Sequence, residues 1–440
     1  MPAKDITLYY NAVCKEHSYD NGFCTKCGGY QPADYNESTG NYEIGNGGQM
    51  FWFAALVNGD GEHTLIQEAK PDAHGVLVSD ISLKNPSDEN YEWKPIGEFK
   101  GIFDGQNHTI SDFSMTKVND QSIGFFQNLM SDPNETDEAK KATLKNFTFD
   151  GQGYYVYRFD IKSSDGNAAL FDTIGARGSV KNFGAFYQNI EGEKAAGLAI
   201  VNYGLIDECI SGSNLSGSFT DQLTKEPKNL TETTIFVKGT SMAGGVVVEN
   251  KGVIRNTANY AKATASASDG IVGGIAVVNS GTIENCMSIG TLSTKENGIA
   301  GGIVGKLDKN GSIQIAYSAQ TAIEGGTTGA VFGAKEETAG AVNNTYYQDT
   351  LSGNEEQGTA KTAAEMKSNA FKEELNTLVA GNEELCSWTW NSTKNQGYPR
   401  ILSSLITEVE LVNASRGLTV KGIYKYGNEG EYKGADSKHW

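Results

Sequence analysis

Short apolar runs that end in an asparagine and a glycine recur along the middle of the chain. Three copies read Gly, an apolar run, Asn, one residue, Gly, one residue and Ile, and they span Gly197–Ile206, Gly245–Ile254 and Gly274–Ile283. A looser copy, Gly302–Ile313, carries two extra residues before its second glycine. Apolar runs of this length, separated by Asn-Gly-type turns, predict short β-strands joined by tight corners.

The second glycine of each copy defines a common register, numbered zero here, and an aliphatic residue follows two places later in every copy. Weaker copies extend the series upstream and downstream. We place the zero positions at His108, Ala142, Gly178, Gly204, Gly252, Gly281, Gly311 and Gly340, with spacings between 26 and 48 residues. One such unit cannot bury its own inner face, so the units must stack with their strands about 4.8 Å apart.

The repeat predicts an all-β chain folded as a right-handed parallel β-helix, a solenoid in which each unit forms one coil. A β-propeller is the competing fold, but its blades usually run longer and carry tryptophan markers that this repeat lacks. The position four places after zero suits a turn or an internal amide ladder, because it holds Asn146, Asn182, Asn256, Asn285 and Asn344. The residue five places after zero changes from aromatic to small along the chain: Phe113, Phe147, Phe183, Cys209, Thr257, Cys286, Ala316 and Thr345.

The segments outside the repeat predict caps and loops. Residues Thr362 to Leu378 carry one apolar helical face and are expected to cover the last coil, because an open end would expose unpaired strands. The aromatic stretch from Tyr42 to Val57 is expected to close the first coil. The polar insertions 132–141 and 218–239 predict loops, and residues Thr407 to Lys421 alternate like a strand. The predicted organisation is a metal-binding module at 1–40, an N-terminal cap leading into the solenoid at 41–100, the β-helix at 101–350, a C-terminal cap with a helix at 351–404, and a tail or a further β domain at 405–440.

Composition and charge argue against several classes of protein and of function. The chain has 440 residues, 53 of them glycine and only 8 proline, and a net charge of −18, which opposes binding to nucleic acids and to anionic membranes. No three-residue glycine period suggests collagen, the 38% of apolar residues argues against disorder, and no apolar run approaches the about 20 residues of a membrane span. Residues 1–5 show no signal peptide. We expect the chain to be a fragment of a longer protein.

The repeat, Gly-Gly-Ile/Val followed by Asn-x-Gly-x-Ile, resembles the GLUG repeat. Trp93-Lys-Pro95-Ile-Gly97 and Phe99-Lys-Gly101-Ile-Phe103-Asp104-Gly105 look like the start of such a β-helix. Asn395-Gln-Gly397-Tyr398-Pro399, after Trp388 and Trp390, looks like its end, so the resemblance covers about residues 90 to 402. It implies a bacterial surface protein, because GLUG repeats occur in immunoglobulin-A-cleaving metallopeptidases and in adhesin-like proteins of gut Gram-positive bacteria.

The chain departs from the peptidase members of that group in its histidines. Their catalysis needs a helical His-Glu-x-x-His zinc site, with two histidines one turn apart. No pair here has that spacing, since the five histidines are His17, His63, His74, His108 and His439. A peptidase of that type is therefore excluded for this chain.

A cluster of potential metal ligands lies near the N-terminus. Cys14 and His17 are followed by Cys24 and Cys27, in the spacing Cys-x2-His, six residues, Cys-x2-Cys-Gly. Two close pairs of soft ligands on tight turns predict a tetrahedral structural zinc site, closed by four protein ligands. Similar knuckles precede the repeats of GLUG-type surface proteins, so the resemblance implies the same site. The alternative is a disulfide cluster, although three cysteines cannot all pair among themselves.

The other cysteines are expected to be free. Cys209 and Cys286 occupy equivalent positions two coils apart, about 9.6 Å by the strand spacing. A disulfide needs Cα atoms within about 7 Å, so both are predicted to be buried thiols. Cys386 is the remaining cysteine.

Acidic and aromatic residues offer weaker candidates for a carbohydrate site. Paired carboxylates would indicate a glycosidase, but most of the acidic candidates adjoin glycine or asparagine and are interpreted as turn residues: Asp104, Asp150, Asp160, Asp165 and Asp172. An alternating aromatic strand face could stack on a sugar, although a packing role is favoured: Tyr154, Tyr155, Tyr157 and Phe159.

These observations predict a non-catalytic extracellular module of a bacterial surface protein, an adhesin or stalk that binds a host or dietary glycan or protein. The chain is expected to be a monomer, to carry one structural zinc, and to use loops such as 218–239 for specificity. The alternatives are a carbohydrate-active β-helix enzyme, either a lyase or a glycoside hydrolase, and an accessory domain of a larger surface peptidase.

Overall fold

The fold is a parallel β-solenoid. The computed structural model describes residues 14, 16–88, 93–117, 124–130, 142–150, 159–164, 166–186, 188–212, 217–220, 227–230, 236–393, 395–402, 408–414 and 417–423. Within these residues three long sheets run along the stack of about eight coils, and each coil contributes strands to the sheets. The prediction of an all-β solenoid is confirmed.

Sheet A has eight parallel strands in the described part of the chain, stacked in chain order. They are Ile96–Phe99, Phe126–Leu129, Phe171–Ile174, Ala199–Asn202, Val247–Asn250, Ala276–Asn279, Val304–Leu307 and Phe332–Lys335. Sheet C has ten parallel strands among the described residues. They are Ser114–Lys117, Phe159–Ser163, Gln188–Ala196, Phe236–Gly244, Lys262–Ala265, Ile271–Gly273, Leu292–Ser293, Ile299–Gly301, Ile323–Glu324 and Thr327–Gly329.

Sheet B is the longest, with fifteen strands over the described ranges. Its strands are Asp34–Asn36, Asn41–Ile44, His74–Leu77, Ile81–Ser82, Ile102–Ser111, Thr143–Asp150, Ser179–Phe186, Leu205–Asp207, Ile210–Ser211, Val253–Arg255, Ala258–Asn259, Thr282–Ser288, Ser312–Ser318, Val342–Gln348 and Thr359–Lys361. The first two of these strands pair antiparallel and the others pair parallel. Sheet B therefore extends from the N-terminal region to the end of the stack.

The aliphatic residues two places after zero form one inward column on sheet B. Successive members pair with one another across neighbouring coils. All are fully buried: Leu144, Val180, Ile206, Ile254, Ile283 and Ile313. The register proposed for these coils is confirmed.

The register was wrong for the coil placed at His108. The column residue Leu144 pairs with Phe103 of this coil. The residue expected at that place, Ile110, pairs instead with Phe149, which lies five residues after Leu144. The zero position of that coil is therefore Gly101. A bulge with positive φ at Gln106 and Asn107 then takes up the extra residues before pairing resumes at His108.

The asparagines four places after zero adopt the left-handed backbone conformation, and those in directly neighbouring coils are joined by amide hydrogen bonds. All five have φ between 49° and 59°: Asn146, Asn182, Asn256, Asn285 and Asn344. Asn182 Nδ2 donates to Asn146 Oδ1 at 2.9 Å, and Asn285 Nδ2 donates to Asn256 Oδ1 at 2.8 Å. Asparagine tolerates this backbone conformation better than most residues, which explains why it recurs.

A second ladder, found only in the structure, uses the asparagine two places before zero. Asn202 Nδ2 donates to Asn250 Oδ1, and Asn250 Nδ2 donates to Asn279 Oδ1, both at 2.8 Å. All three side chains are fully buried. The column ends where Asn279 pairs with Leu307, which belongs to the looser copy of the repeat.

Two coils lack asparagine at the ladder position, where Glu208 and Ile315 take the positive φ instead. A substitution at the first of them is expected to stabilise the protein. Glu208 has φ 53° at the ladder position, and the buried Asn182 Oδ1 accepts no hydrogen bond from the described residues. We expect Glu208→Asn to raise the free energy of unfolding by about 1–2 kcal/mol, because asparagine suits this backbone and its amide can donate to Asn182. Glu208→Gln is the control, since it removes the charge without restoring the ladder. Equal denaturation midpoints for the two variants would contradict this explanation.

The N-terminal cap is formed by helix α1, Gly47–Asn58. Its apolar side chains are buried on most of its surface, and Phe53 packs against Phe99 and Phe103 of the first coils. The Asn46 side chain caps the helix by accepting from Gln49 N at 2.9 Å. The stretch expected to close the first coil does so, through a strand and this helix.

The C-terminal helical segment consists of two helices, α2 at Ala363–Met366 and α3 at Asn369–Val379. The break follows from two N-caps, since Thr362 makes a capping box with Glu365 and Ser368 accepts from Phe371 N at 3.1 Å. The segment packs on the outer face of sheet B, where Phe371 contacts Tyr346 of the last coil and Tyr317 of the coil before it.

The end of the stack is covered mainly by the segment that precedes the helices. It contains the short helix Glu355–Gln357. The Gln357 side chain accepts from Val331 N at 2.8 Å, and its carbonyl accepts from Thr345 Oγ1 at 2.9 Å. These hydrogen bonds satisfy polar groups that the missing next coil would otherwise pair.

Four small elements complete the described structure. The insertion 218–239, predicted as a loop, contains the antiparallel pair Gly217–Thr220 and Pro227–Leu230, and its last residues join sheet C. The predicted strand near the C-terminus is a hairpin, Glu408–Ala414 with Gly417–Ile423.

The two other small elements lie after the C-terminal helices: Trp388–Thr389 pairs with Arg400–Ile401, and Asn395–Gly397 forms a short helix. Insertion 132–141 lies outside the described residues, and the five segment boundaries stay predictions.

Candidate metal centre

A tight hairpin brings the first pair of potential ligands to the second. Tyr19–Asp20 pairs antiparallel with Phe23–Cys24, and the turn residues Asn21 and Gly22 have φ of 45° and 78°. Positive φ at both central residues is the geometry that Asn-Gly adopts in a two-residue hairpin. The chain therefore reverses between His17 and Cys24.

A second turn holds the two later cysteines together. Gly28 N donates to the carbonyl of Cys24 and Cys24 N donates to the carbonyl of Gly29, both at 2.8 Å. Gly28 has φ +71°, which a residue with a side chain adopts only with strain. The turn directs the Cys24 and Cys27 thiols toward the first ligand pair.

The four predicted ligands meet in one cluster. The donor atoms of Cys14, His17, Cys24 and Cys27 all lie within 4.8 Å of one another, and His17 Nδ1 is 3.6 Å from Cys27 Sγ. In a tetrahedral site with bonds of about 2.3 Å to sulfur, neighbouring donors are about 3.8 Å apart. The residues present fit a metal ion with only small inward shifts of their side chains.

The cluster also favours a thiolate. Burial opposes ionisation of Cys24, but backbone hydrogen bonds, the largest of them with Ser18, and one with the His17 side chain lower the pKa of Cys24 to about 5. The thiolate is the form of cysteine that binds metals. All six cysteines of the chain are free, so the disulfide alternative does not hold for this structure.

The cluster is attached firmly to the N-terminal cap. Phe23 is buried, and its ring packs edge-on against Phe51 of α1 at 5.2 Å. Asn21 Nδ2 donates to the carbonyls of Ser82 and Lys84 at 2.9 and 2.7 Å. A Cβ at Gly22 would lie 1.9 Å from Asn46 Oδ1, so only glycine fits this contact. A metal in the cluster would thus hold together residues that dock on α1 and on sheet B.

The remaining cysteines behave as predicted. Cys209 and Cys286 are fully buried, with Thr257 in the coil between them. Burial raises the pKa of Cys286 to about 12, and it also raises the pKa of Cys209 well above the usual value of a thiol. Burial likewise raises the pKa of Cys386 to about 12. These three thiols are unreactive packing residues.

Of the five acidic candidates, only Asp104 and Asp172 have side chains in the described part of the chain, and these two lie on different sheets. Asp104 accepts hydrogen bonds from Gln106 N at 3.0 Å and Asn146 Nδ2 at 2.9 Å, as a corner residue does. Asp172 is half-buried on a strand of sheet A. The side chains of Asp150 and Asp160 lie outside the described residues, as do Asp165 and the whole of Tyr154, Tyr155 and Tyr157; only the backbone of Phe159 is described, in a strand of sheet C.

A charged cluster on sheet B was not predicted. Arg255 Nε lies 3.0 Å from Asp207 Oδ2, and Arg255 Nη1 lies 2.6 Å from Glu384 Oε2. Glu284 pairs with Arg255 in the next strand, and burial raises the pKa of its carboxyl against the opposing effect of Arg255. In the sequence, the residue three places after zero alternates in charge over three successive coils, as Asp207, Arg255 and Glu284. This alternation could have predicted the charged row.

Fold and cluster together define a parallel β-solenoid with a cysteine–histidine group that could hold a metal ion. No protein-family profile matches the chain, and no curated protein matches its sequence. The chain is similar to the crystal structure of a "putative immunoglobulin A1 protease" from Bacteroides ovatus, with a TM-score of 0.48 and 18% identity over 86% of this chain and 96% of that one. No helix in the described part of the chain has the length and apolar character needed to cross a membrane.

Proposed function

We propose that the chain is a non-catalytic extracellular module of a bacterial surface protein, in which structural zinc fastens the N-terminal cap and the solenoid presents a binding surface. The observation that carries this proposal is the composition of the metal cluster. Three thiols and one imidazole supply four protein ligands, which leaves no position for a substrate or a reactive water. The expected partner is a host or dietary glycan or protein.

Zinc is the metal that this donor set favours. Soft thiolate ligands select zinc, copper(I) or iron–sulfur clusters, and three sulfurs with one nitrogen in a tetrahedral arrangement are typical of structural zinc. A metal bound in this way contributes to folding, because the unfolded chain has no preformed site.

The charged cluster on sheet B supports a binding role over catalysis. Glu284 is the one described carboxyl group whose pKa is clearly raised. Most glycoside hydrolases need a second carboxylate that is free to act with the first. The neighbouring carboxylates of Asp207 and Glu384 are both engaged by Arg255 at 3.0 and 2.6 Å. The arrangement therefore ties the C-terminal segment to the sheet.

The repeat supports the surface location. Gly, Asn and aliphatic residues at recurring positions resemble the GLUG repeats of bacterial surface proteins, and the amide ladders give those residues a structural purpose. A long solenoid with polar insertions also suits a stalk, because each coil contacts only its neighbours and length can be added without changing the core.

Incubation of the purified chain with plant and mucin polysaccharides and with immunoglobulin A tests this proposal. We expect binding to one or more components of a glycan and host-protein array, and no cleavage of any of them. Glu284→Gln is the matched variant, because glutamine keeps the shape of the carboxyl group whose pKa is raised but cannot act as a general acid or base. Product formed by the native chain and abolished in Glu284→Gln would favour the carbohydrate-active enzyme, and cleavage of immunoglobulin A would favour a peptidase.

A further inference from the structure

A surface pocket opens beside the metal centre, between the cysteine turn and helix α1. Its volume is 440 Å³, within the range of about 300–1,000 Å³ that is usual for small-molecule sites. Its lining includes Cys24 and Gly28 from the cysteine turn, and Ala54 and Ala55 from α1. The metal cluster and the helix thus fix the shape of the pocket.

Aromatic rings form one wall of the pocket. Tyr30 is half-buried, and its ring centroid lies 5.4 Å from that of Phe51 and 5.0 Å from that of His63. Its backbone is held by a 3.1 Å hydrogen bond to the carbonyl of His63. Burial raises the pKa of Tyr30 to about 12, so its hydroxyl keeps its proton at neutral pH and can donate. A rigid ring of this kind offers an apolar face with a polar tip.

Paired charges also line the pocket. Lys94 Nζ contacts Asp60 Oδ2 at 2.8 Å and also binds the Glu62 carboxylate. The hydrogen bonds from Lys94 lower the pKa of both carboxyls, so they are ionised acceptors at neutral pH. An ammonium donor and two carboxylate acceptors side by side match the neighbouring hydroxyl groups of a sugar ring, each of which can donate and accept.

The charge of the lining disfavours acidic ligands. Three carboxylates, Asp60, Glu62 and Asp88, face two ammonium groups, Lys26 and Lys94, and the chain as a whole carries −18. Lys94 is already engaged by two carboxylates. An anionic ligand would therefore meet net repulsion, whereas a neutral polyhydroxyl ligand would not.

We propose that this pocket binds a neutral saccharide, with the apolar face of one ring on Tyr30 and its hydroxyl groups on Asp60, Glu62 and Lys94. The inference rests on the proposed binding function and names its ligand class and place. Sequence reasoning missed the pocket because Lys94 lies 34 and 32 residues from its two acidic partners.

Saturation-transfer NMR with the full zinc-loaded chain tests the ligand class. The probes are two matched pairs, in each of which a carboxylate replaces the CH2OH group: galactose with galacturonic acid, and glucose with glucuronic acid. N-acetylglucosamine is a further neutral sugar and N-acetylneuraminic acid a further acidic one. We expect signals from the ring C–H protons of at least one neutral sugar and none from its acidic partner. Binding of the acidic sugars alone, or of no sugar, would overturn the proposal.

Two pocket variants and one control locate the binding. Glu62→Ala is expected to weaken binding about tenfold, the effect of losing one hydrogen bond to a charged group. Tyr30→Phe keeps the packing and removes the hydroxyl, and a smaller loss is expected. Glu336→Ala is the control, because Glu336 pairs with Lys306 at 3.0 Å, away from the pocket. If sugars bind equally to all three variants, the pocket proposal fails while the binding function of the chain stands.

Discussion

Removal of the proposed zinc is expected to unfold the N-terminal module while leaving the solenoid coils folded. The hairpin and the cysteine turn have little core of their own, since Phe23 is the main side chain they bury against α1. Structural zinc contributes about 10–16 kcal/mol of apparent binding free energy in small zinc peptides. We therefore expect a loss of several kcal/mol of local stability on chelation, with recovery when zinc is added back.

The variant Cys27→Ser tests the same point without a chelator. Cys27 is exposed, so the change from sulfur to oxygen disturbs no packing and acts through the metal. We expect fast hydrogen exchange in residues 16–31 and unchanged exchange in the strands of sheets A and C. Cys386→Ser is the control, because that thiol lies outside the cluster. Native-like protection of residues 16–31 in Cys27→Ser would contradict a structural role for the metal.

Truncation of the inward column is expected to give the second large effect. Ile283 is fully buried between Ile254 and Ile313, and Ile283→Ala should cost about 2–5 kcal/mol through lost contacts and a cavity. Thr282→Ala is the control, because Thr282 is half-exposed on the same strand and should change stability by less than about 0.5 kcal/mol. The measurement is the free energy of unfolding in denaturant.

Since each coil contacts only its neighbours, the defect at Ile283 should also separate the unfolding of the two halves of the stack. Equal destabilisation by Ile283→Ala and Thr282→Ala would show that the column does not face inward.

The register of the strong copies could be predicted because particular positions of each coil accept only certain residue types. An aliphatic residue fills the column, and asparagine is preferred at the corner that needs positive φ, so Ile254 and Asn256 together identify their coil. The coil at Gly101 has Phe103 in the column and a bulge after it, and neither feature follows the pattern. Periodicity alone could not show that His108 lies seven residues after the true zero position, Gly101.

The functional residues likewise fall into a group that the sequence predicted and a group that it did not. The four metal ligands were predictable because they lie on local turns, where spacing along the sequence fixes spacing in space. The contacts of the C-terminal segment were not, since Trp388 Nε1 reaches Asn285 Oδ1 across 103 residues, at 2.7 Å. The pocket depends in the same manner on Lys94 meeting Asp60. Long-range packing of this kind leaves no periodic signal in the sequence.

Zinc K-edge X-ray absorption on the purified chain is the most direct test of the metal centre that fastens the cap. The account predicts one zinc per chain with three sulfur ligands at about 2.3 Å and one nitrogen ligand at about 2.0–2.1 Å. The spectrum of Cys27→Ser should lose this signature. A first coordination sphere of oxygen and nitrogen alone, or a chain purified without zinc whose residues 16–31 are nevertheless ordered, would contradict it.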